Sequence, residues 1–183
     1  MKLKSTREII ADSLREIGRR KKINSITIRE IMENCGFSIA TFYRHFKDKY
    51  DLIAWDYVRK VENLMSRCRS ENQPWKKSLI DGARYFWENR EFLRNLFLHT
   101  SGQDSFIHCM IETNIRELTK HIHRTAKIES LPPDEECLVR IYCYGTVLFV
   151  CEWLQQKNPI SIDQAALAME NSLPEPLKKY LVE

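Results

Sequence analysis

Three features of this 183-residue sequence predict an all-α fold. Glycine and proline are scarce, five and six residues in the whole chain. Apolar residues recur at spacings of three and four instead of alternating, the pattern of helices with one buried face. Capping boxes, Ser5-Thr6-Arg7-Glu8 and Thr27-Ile28-Arg29-Glu30, stand where two such runs begin.

The first helix is expected from about Ser5 to Arg20, with Ile10, Leu14 and Ile17 as its inner stripe. Arg19, Arg20, Lys21 and Lys22 follow at its C-terminus, where the helix dipole favours cations. That explanation accounts for the run at least as well as a direct contact with an anionic polymer. The second helix runs from about Thr27 to Cys35, turning Ile28, Ile31 and Met32 inward, and Gly36 is placed to stop it in a left-handed conformation. Ser38 opens the third helix, which the pattern carries to residue 46. Phe42 and Phe46, four apart, form its apolar edge, and Ala40 and Arg44 project to the opposite side at about 100° per residue. Thr41, Tyr43, His45, Lys47 and Lys49 flank that surface with hydroxyl, imidazole and ammonium groups, the donors that bind phosphate oxygens. Two short helices joined by a glycine turn make a helix-turn-helix, with 38–46 in the recognition position.

Asp48-Lys49-Tyr50-Asp51 caps a fourth helix that continues through Leu52, Trp55, Val58 and Met65 to about Arg69, a connector between domains that ends at Gln73-Pro74. Further helices are expected at about 75–89, 91–100, 105–126, 134–157 and 163–172, with a short one from Glu175 to Leu181. The breaks fall at Ser101-Gly102-Gln103-Asp104, Pro132-Pro133 and Asn158-Pro159. The domain division is 1–50 for the helix-turn-helix, a connector over about 48–69, and 70–183 for a helical C-terminal domain.

The net charge of +4 hides an asymmetry. Residues 1–50 hold 12 Lys and Arg against 6 Asp and Glu, a balance of +6, and the remainder balances at −2. Positive charge gathered at one end is the footprint of a nucleic-acid-binding module attached to something else. The six cysteines show no Cys-x-x-Cys spacing, and no apolar leader follows Met1-Lys2-Leu3-Lys4, so reduced thiols in a cytoplasmic protein are expected. The uncharged stretch Ile141–Cys151 is too short to span a bilayer, and no membrane segment is expected. His108-Cys109 and His121-x-His123 cannot each face one point on a helix, so neither a nucleophile pair nor a metal pair is read from them; no enzyme activity, cofactor or metal is expected.

Residues 25–53 resemble the N-terminal domain of the TetR/AcrR family of bacterial transcriptional regulators. The resemblance lies in the threonine opening helix two, the glycine turn, the segment Ala40-Thr41-Phe42-Tyr43-Arg44-His45-Phe46 and the lysines that follow; it covers roughly residues 5–60. The chain departs from the commonest pattern at Cys35, Phe37 and Ala40, none of which removes a donor. The helix from Tyr144-Gly145 to Trp153-Leu154, the Pro159-Ile160-Ser161 break and the ending Leu173-Pro174-Glu175-Pro176-Leu177 resemble a Gram-positive subgroup that includes the dihydroxyacetone-kinase regulator DhaS.

The resemblance implies a dimer that places two third helices in the major groove of a palindromic operator. On the matching positions, Ile39, Ala40 and Arg44 meet base edges. Thr27, Thr41, Tyr43, His45 and Lys49 hold phosphates, with Ser38 and Lys47 beside them and Arg29 able to reach either. Arg44 is the main candidate for reading sequence, since arginine pairs bidentately with guanine, although a phosphate clamp is also open to it. The apolar residues around the 134–157 helix show that it is buried on several sides. In the family its equivalent pairs with a symmetry mate, which makes Val147, Val150, Cys151, Leu154 and Leu167 the expected dimer contacts. Phe86, Phe92, Phe97, His108, Tyr142 and Phe149 are the expected lining of an effector pocket, with plain core packing as the competing role. The resemblance implies a repressor released by an effector, or, on the DhaS-like alternative, an activator or co-regulator acting through a protein partner.

Overall fold

The computed structural model describes residues 4–70, 74–100 and 105–181, with the side chains of 68–70 excepted. The expected break at 101–104, Gln73 and the Cys68 thiol lie outside the described residues. Among the described residues ten α-helices follow one another: α1 (Thr6–Gly18), α2 (Ile28–Cys35), α3 (Ile39–Tyr43), α4 (Lys49–Ser70), α5 (Trp75–Glu88), α6 (Arg90–His99), α7 (Phe106–Ala126), α8 (Pro133–Gln155), α9 (Ile162–Asn171) and α10 (Glu175–Leu181). A 3₁₀ turn at Ile23–Ser25, not anticipated from the sequence, joins α1 to α2. No strand occurs among the described residues.

The helices form two compact units that do not follow the linear division. The first comprises residues 1–59 and 91–106, and the second 60–90 and 107–183. In the first unit, Ile10 and Leu14 of α1, Ile31 and Met32 of α2, and Phe42, Phe46 and Leu52 are buried. The buried Ser13 hydroxyl donates to the Ile31 carbonyl at 2.7 Å and accepts from the Asn34 amide at 3.0 Å, fixing α1 against α2. Between α1 and α4, the Arg7 guanidinium lies over the Phe46 and Trp55 rings at 4.8 and 4.4 Å. Arg15 bridges Asp12 and Asp56, and Arg59 pairs with Asp56 at 3.0 Å and Glu8 at 2.6 Å.

Although α6 comes late in sequence, most of it belongs to this first unit. Gly18, the last residue of α1, has the Phe92 ring where a side chain would stand: a Cβ there would lie 2.6 and 2.8 Å from two ring carbons. Phe97 stacks on Phe106, which meets Tyr57 edge-on. The Asn95 amide donates to the Gly18 and Lys21 carbonyls at 2.8 and 2.7 Å and accepts from the Ile23 N–H at 2.9 Å.

The core of the second unit gathers Trp75, Leu118, Ile122, Leu131, Val139, Tyr142, Cys143, Leu173 and Leu177. Helix α5 packs on α8 and α9, and α10 packs on α8. Buried Glu135 accepts from Lys179 at 2.7 Å and Tyr180 at 2.9 Å, closing α10 onto the start of α8. Trp153 is fully buried, donates to the Ile160 carbonyl at 2.9 Å and stacks with Trp87. Burial pushes the Cys143 and Cys151 thiols up to about 12, far from thiolate chemistry at neutral pH. By length and composition alone α8 is apolar enough to cross a membrane, yet much of its apolar surface lies in the protein's own core.

One set of expected residues is corrected here. Val147, Val150, Cys151 and Leu154 are at most 4% exposed, so they pack inside their own unit and present nothing to a partner. The outward apolar side of α8 is instead Ile141 (65% exposed), Tyr144 and Leu148, and Leu167 of α9 is also exposed. A helix apolar all round does not disclose from sequence which side faces out. The six residues expected to line a pocket are divided between the two units. Phe92 and Phe97 pack within the first unit, Phe86 lies beside Tyr85, and His108 is exposed. Tyr142 and Phe149 line a common hollow, an apolar one of about 360 Å³ between α8 and α9.

Candidate nucleic-acid interface

Helix α2 begins at a closed capping box. The Thr27 hydroxyl accepts from the Glu30 N–H at 3.2 Å, and the Glu30 carboxylate accepts from the Thr27 N–H at 2.8 Å. Lys21 pairs with the other carboxylate oxygen at 2.5 Å, and this bond, followed by those from Thr27, lowers the Glu30 pKa to about 2. The N–H groups of Ile28 and Arg29, in the first turn, have no intrahelical acceptor and are available to an anion. Arg29 is exposed and only loosely paired with Glu33, at 3.8 Å.

The turn after α2 depends on Gly36, whose φ of 74° is the left-handed conformation that disfavours any side chain. The Phe37 N–H closes onto the Met32 carbonyl at 3.0 Å, completing the C-terminal cap. Ser38 then caps α3 by accepting from the Thr41 N–H at 3.2 Å, and the Ser38 and Thr41 hydroxyls meet at 3.0 Å. Helix α3 is shorter than its pattern implied, ending at Tyr43. The His45 and Phe46 N–H groups still reach the Phe42 carbonyl at 2.9 Å, so the path turns helically as far as Phe46.

Phe42 and Phe46 anchor this segment in the core, against Trp55 in the case of Phe46. Ile39, Ala40, Tyr43 and Arg44 fall within an arc of about 140° on the other side, at about 100° per residue. All four are exposed, Tyr43 to 59%, as are Ser38, His45 and Lys47, whereas Thr41 is half-buried. Thr27, at the foot of α2, is also exposed. Arg44 and Lys47 have no carboxylate partner among the described residues. The arrangement offers one guanidinium at the edge of an exposed arc, with hydroxyl, imidazole and ammonium donors around it.

Lys49 does not join that rim. Its ammonium donates to the carbonyls of Ile23, Asn24 and Ile26 at 2.8, 3.1 and 2.9 Å, which occupies all three of its protons, and burial lowers its pKa below the usual lysine value. The phosphate role expected for Lys49 is therefore not supported by where its side chain lies. Its backbone starts α4, which is capped by Asp48 through the N–H groups of Tyr50 and Asp51 at 2.8 and 2.9 Å. The Asp51 carboxylate accepts in return from the Lys47 N–H at 2.9 Å. Sequence reasoning missed the 3₁₀ turn and both of its holders, Lys49 and Asn95. Neither carries a local signal, because their carbonyl partners come from segments 23 to 77 residues away.

Residues 9–54 match the family profile of bacterial regulatory proteins of the tetR family, and residues 73–174 match that of a transcriptional regulator C-terminal region. No curated protein matches the chain. Among solved structures, the dihydroxyacetone kinase operon activator DhaS superimposes with a TM-score of 0.68 at 21% identity, over 96% of this chain and 98% of that one. A TetR transcriptional regulator from Rhodococcus sp. RHA1 gives 0.66 at 15% identity over 91% and 93%. The Thermus thermophilus repressor FadR, in complex with lauroyl-CoA, gives 0.61 at 15% identity over 97% and 96%. These likenesses establish a shared fold. With both profiles matched in order along its length, the chain belongs to the TetR family of bacterial transcriptional regulators.

Proposed function

We propose that this chain is a cytoplasmic repressor that binds a palindromic operator as a homodimer, reads it through Arg44, and is released by an effector held in its second unit. The observation that carries the DNA-reading part is the exposed arc of Ile39, Ala40, Tyr43 and Arg44, rimmed by Ser38, Thr41, His45 and Lys47, with Phe42 and Phe46 locked behind it. Arg44 stands at a base-reading position with no carboxylate to neutralise it. Ile39 and Ala40 supply apolar contact of the kind made to a thymine methyl. Thr27, Arg29 and the free N–H groups of α2 sit where a phosphate would complete the helix end.

Dimerisation is supported by the outward apolar side of α8, Ile141, Tyr144 and Leu148, with Leu167 of α9 also exposed. Self-association would cover apolar surface that a monomer leaves in water. It would also set two recognition helices one DNA turn apart, the spacing a palindrome requires. Effector release is proposed from the shared fold of the lauroyl-CoA-bound Thermus repressor. A second reading, activation with a protein partner, takes its support from the printed role of DhaS, whose fold the chain also shares.

Selection of bound duplexes from random DNA tests the proposal. The wild-type chain should enrich a palindrome. Arg44→Ala should lose about 1–3 kcal/mol of discrimination at one base pair of each half-site. Lys47→Ala should weaken binding to every sequence alike. Equal losses across a panel of operators for Arg44→Ala would remove its assigned role. A reporter fused to the operator rises on deletion of the gene if the chain represses, and falls if it activates.

A further inference from the structure

The run Arg19-Arg20-Lys21-Lys22 has more positive charge than the fold uses. Helix α1 ends at Gly18 with Arg19 as its C-cap, so a favourable interaction with the helix dipole accounts for Arg19 at most. The carbonyls of Ile17, Gly18 and Lys21 at that end are already served. The Arg20 and Lys21 N–H groups both reach the Ile17 carbonyl at 3.0 Å, and Asn95 donates to those of Gly18 and Lys21. Lys21 is held by Glu30. Arg19, Arg20 and Lys22 are exposed and have no carboxylate partner among the described residues. By contrast, Lys4, Arg7 and Arg15 of the same N-terminal stretch are each engaged, by Asp12, by the Phe46 and Trp55 rings, and by Asp12 with Asp56. Three neighbouring like charges repel one another, so the folded chain alone gains nothing from them.

Their location points to one partner. Lys21 touches Glu30, which is bonded to Thr27, the cap of α2. Lys22 precedes the 3₁₀ turn, whose carbonyls are gripped by Lys49 and whose Asn24 side chain accepts from the Tyr50 hydroxyl at 3.3 Å. The run is thus tied to the N-terminus of α2, where the Ile28 and Arg29 N–H groups have no intrahelical acceptor and favour anions.

We infer that Arg19, Arg20 and Lys22 form a second phosphate-binding station, which extends the contact with DNA along the backbone beyond the recognition helix and carries no sequence preference. The inference rests on the DNA-binding reading above. It predicts that these three side chains, and not only the donors around α3, set the salt dependence of binding.

The test uses the full-length protein and a duplex that the wild type selects from random DNA, with titrations between 50 and 300 mM KCl. Each phosphate contact contributes about −0.9 to the slope of log affinity against log salt. The triple variant Arg19→Gln, Arg20→Gln, Lys22→Gln should flatten that slope by up to about 2.7 for each protomer on the duplex. It should lose affinity equally for selected and scrambled sequences, and unfold in denaturant at or above the wild-type midpoint. An unchanged slope in a folded variant overturns the inference and assigns the run to an acidic protein surface or to solvent, leaving the DNA-binding reading intact. A lower denaturation midpoint with an unchanged slope makes the run structural and equally overturns it. If the wild type selects no duplex, both readings fall, so the two failures are distinguishable.

Discussion

Replacing Asn95 tests whether the link between α1 and α2 is held from far along the chain. Asn95→Ala removes three hydrogen bonds of 2.7–2.9 Å and leaves the Ile23 N–H without its acceptor, next to a side chain with no solvent exposure. An orphaned buried donor costs about 1–3 kcal/mol, and each of the two other bonds contributes about 0.5–1.5 kcal/mol. Since two carbonyls near the surface recover part of this through water, the expected loss is about 2–4 kcal/mol, a large share of the 5–15 kcal/mol typical of a domain. Asn95→Asp sharpens the test. It is nearly the same shape and keeps an acceptor for Ile23, but turns a carboxylate oxygen toward the Gly18 and Lys21 carbonyls. It should therefore destabilise at least as much as the alanine variant. Guanidinium unfolding monitored by circular dichroism gives the midpoint and slope, and hydrogen exchange of the Ile23 amide reports the site itself. The reasoning fails if Asn95→Ala shifts stability by less than about 0.5 kcal/mol, the range of an inconsequential surface change. It fails equally if Asn95→Asp is the more stable of the two.

Two further outcomes follow from the geometry. Ile141→Glu with Leu148→Glu should leave the protomer folded and shift sedimentation toward monomer, because both side chains already face water. Val150→Glu should instead unfold the second unit, since it buries a carboxylate with no partner; normal folding of that variant would contradict the placement of Val150. Glu30 gives a pH dependence whose sign is fixed. Its folded pKa, about 2, lies below the ordinary value of 4.5, so the unfolded state binds more protons and stability rises with pH. The contribution is complete above about pH 4.5 and disappears as pH falls toward 2. Glu30→Gln should remove that segment of the stability–pH curve while keeping the capping hydrogen bond, and superimposable curves for the two proteins would refute it.

What the sequence revealed and what it concealed divide along a physical line. Capping residues act on N–H groups two or three positions away, so Ser5, Thr27 and Ser38 announced α1, α2 and α3 without help from the rest of the chain. The inward pair Phe42 and Phe46 and the left-handed Gly36 were legible for the same reason. The stop of α3 at Tyr43 was not, because nothing in residues 44–46 breaks a helix and the chain turns there toward the cap of α4. The outward side of α8 was hidden by its composition: with Val147, Leu148, Val150 and Cys151 all apolar, periodicity cannot choose a face. The assignment of α6 to the first unit depends on Phe92 meeting Gly18 and Asn95 meeting a turn about seventy residues earlier. Such pairings exist only after the chain has folded.

The contrast between Lys47 and Lys49 shows why donor counting overstates a DNA interface. Both are lysines at the same end of the recognition segment, and both precede or open α4. Lys47 is exposed, and among the described residues only its backbone N–H is engaged, by Asp51. Lys49 reaches back across 23 to 26 residues to the carbonyls of Ile23, Asn24 and Ile26, the first of which also accepts from the Ile26 N–H at 3.2 Å. An ammonium committed to three carbonyls cannot also neutralise a phosphate without releasing them, and the turn that it holds leads directly into the Thr27 cap of α2. On the proposed reading, Lys49 would act on DNA through the position of α2, whereas Lys47 and Arg44 would act by contact. Substituting Lys49 should lower affinity with little change in the salt slope, the opposite signature from the loss of a phosphate-binding cation.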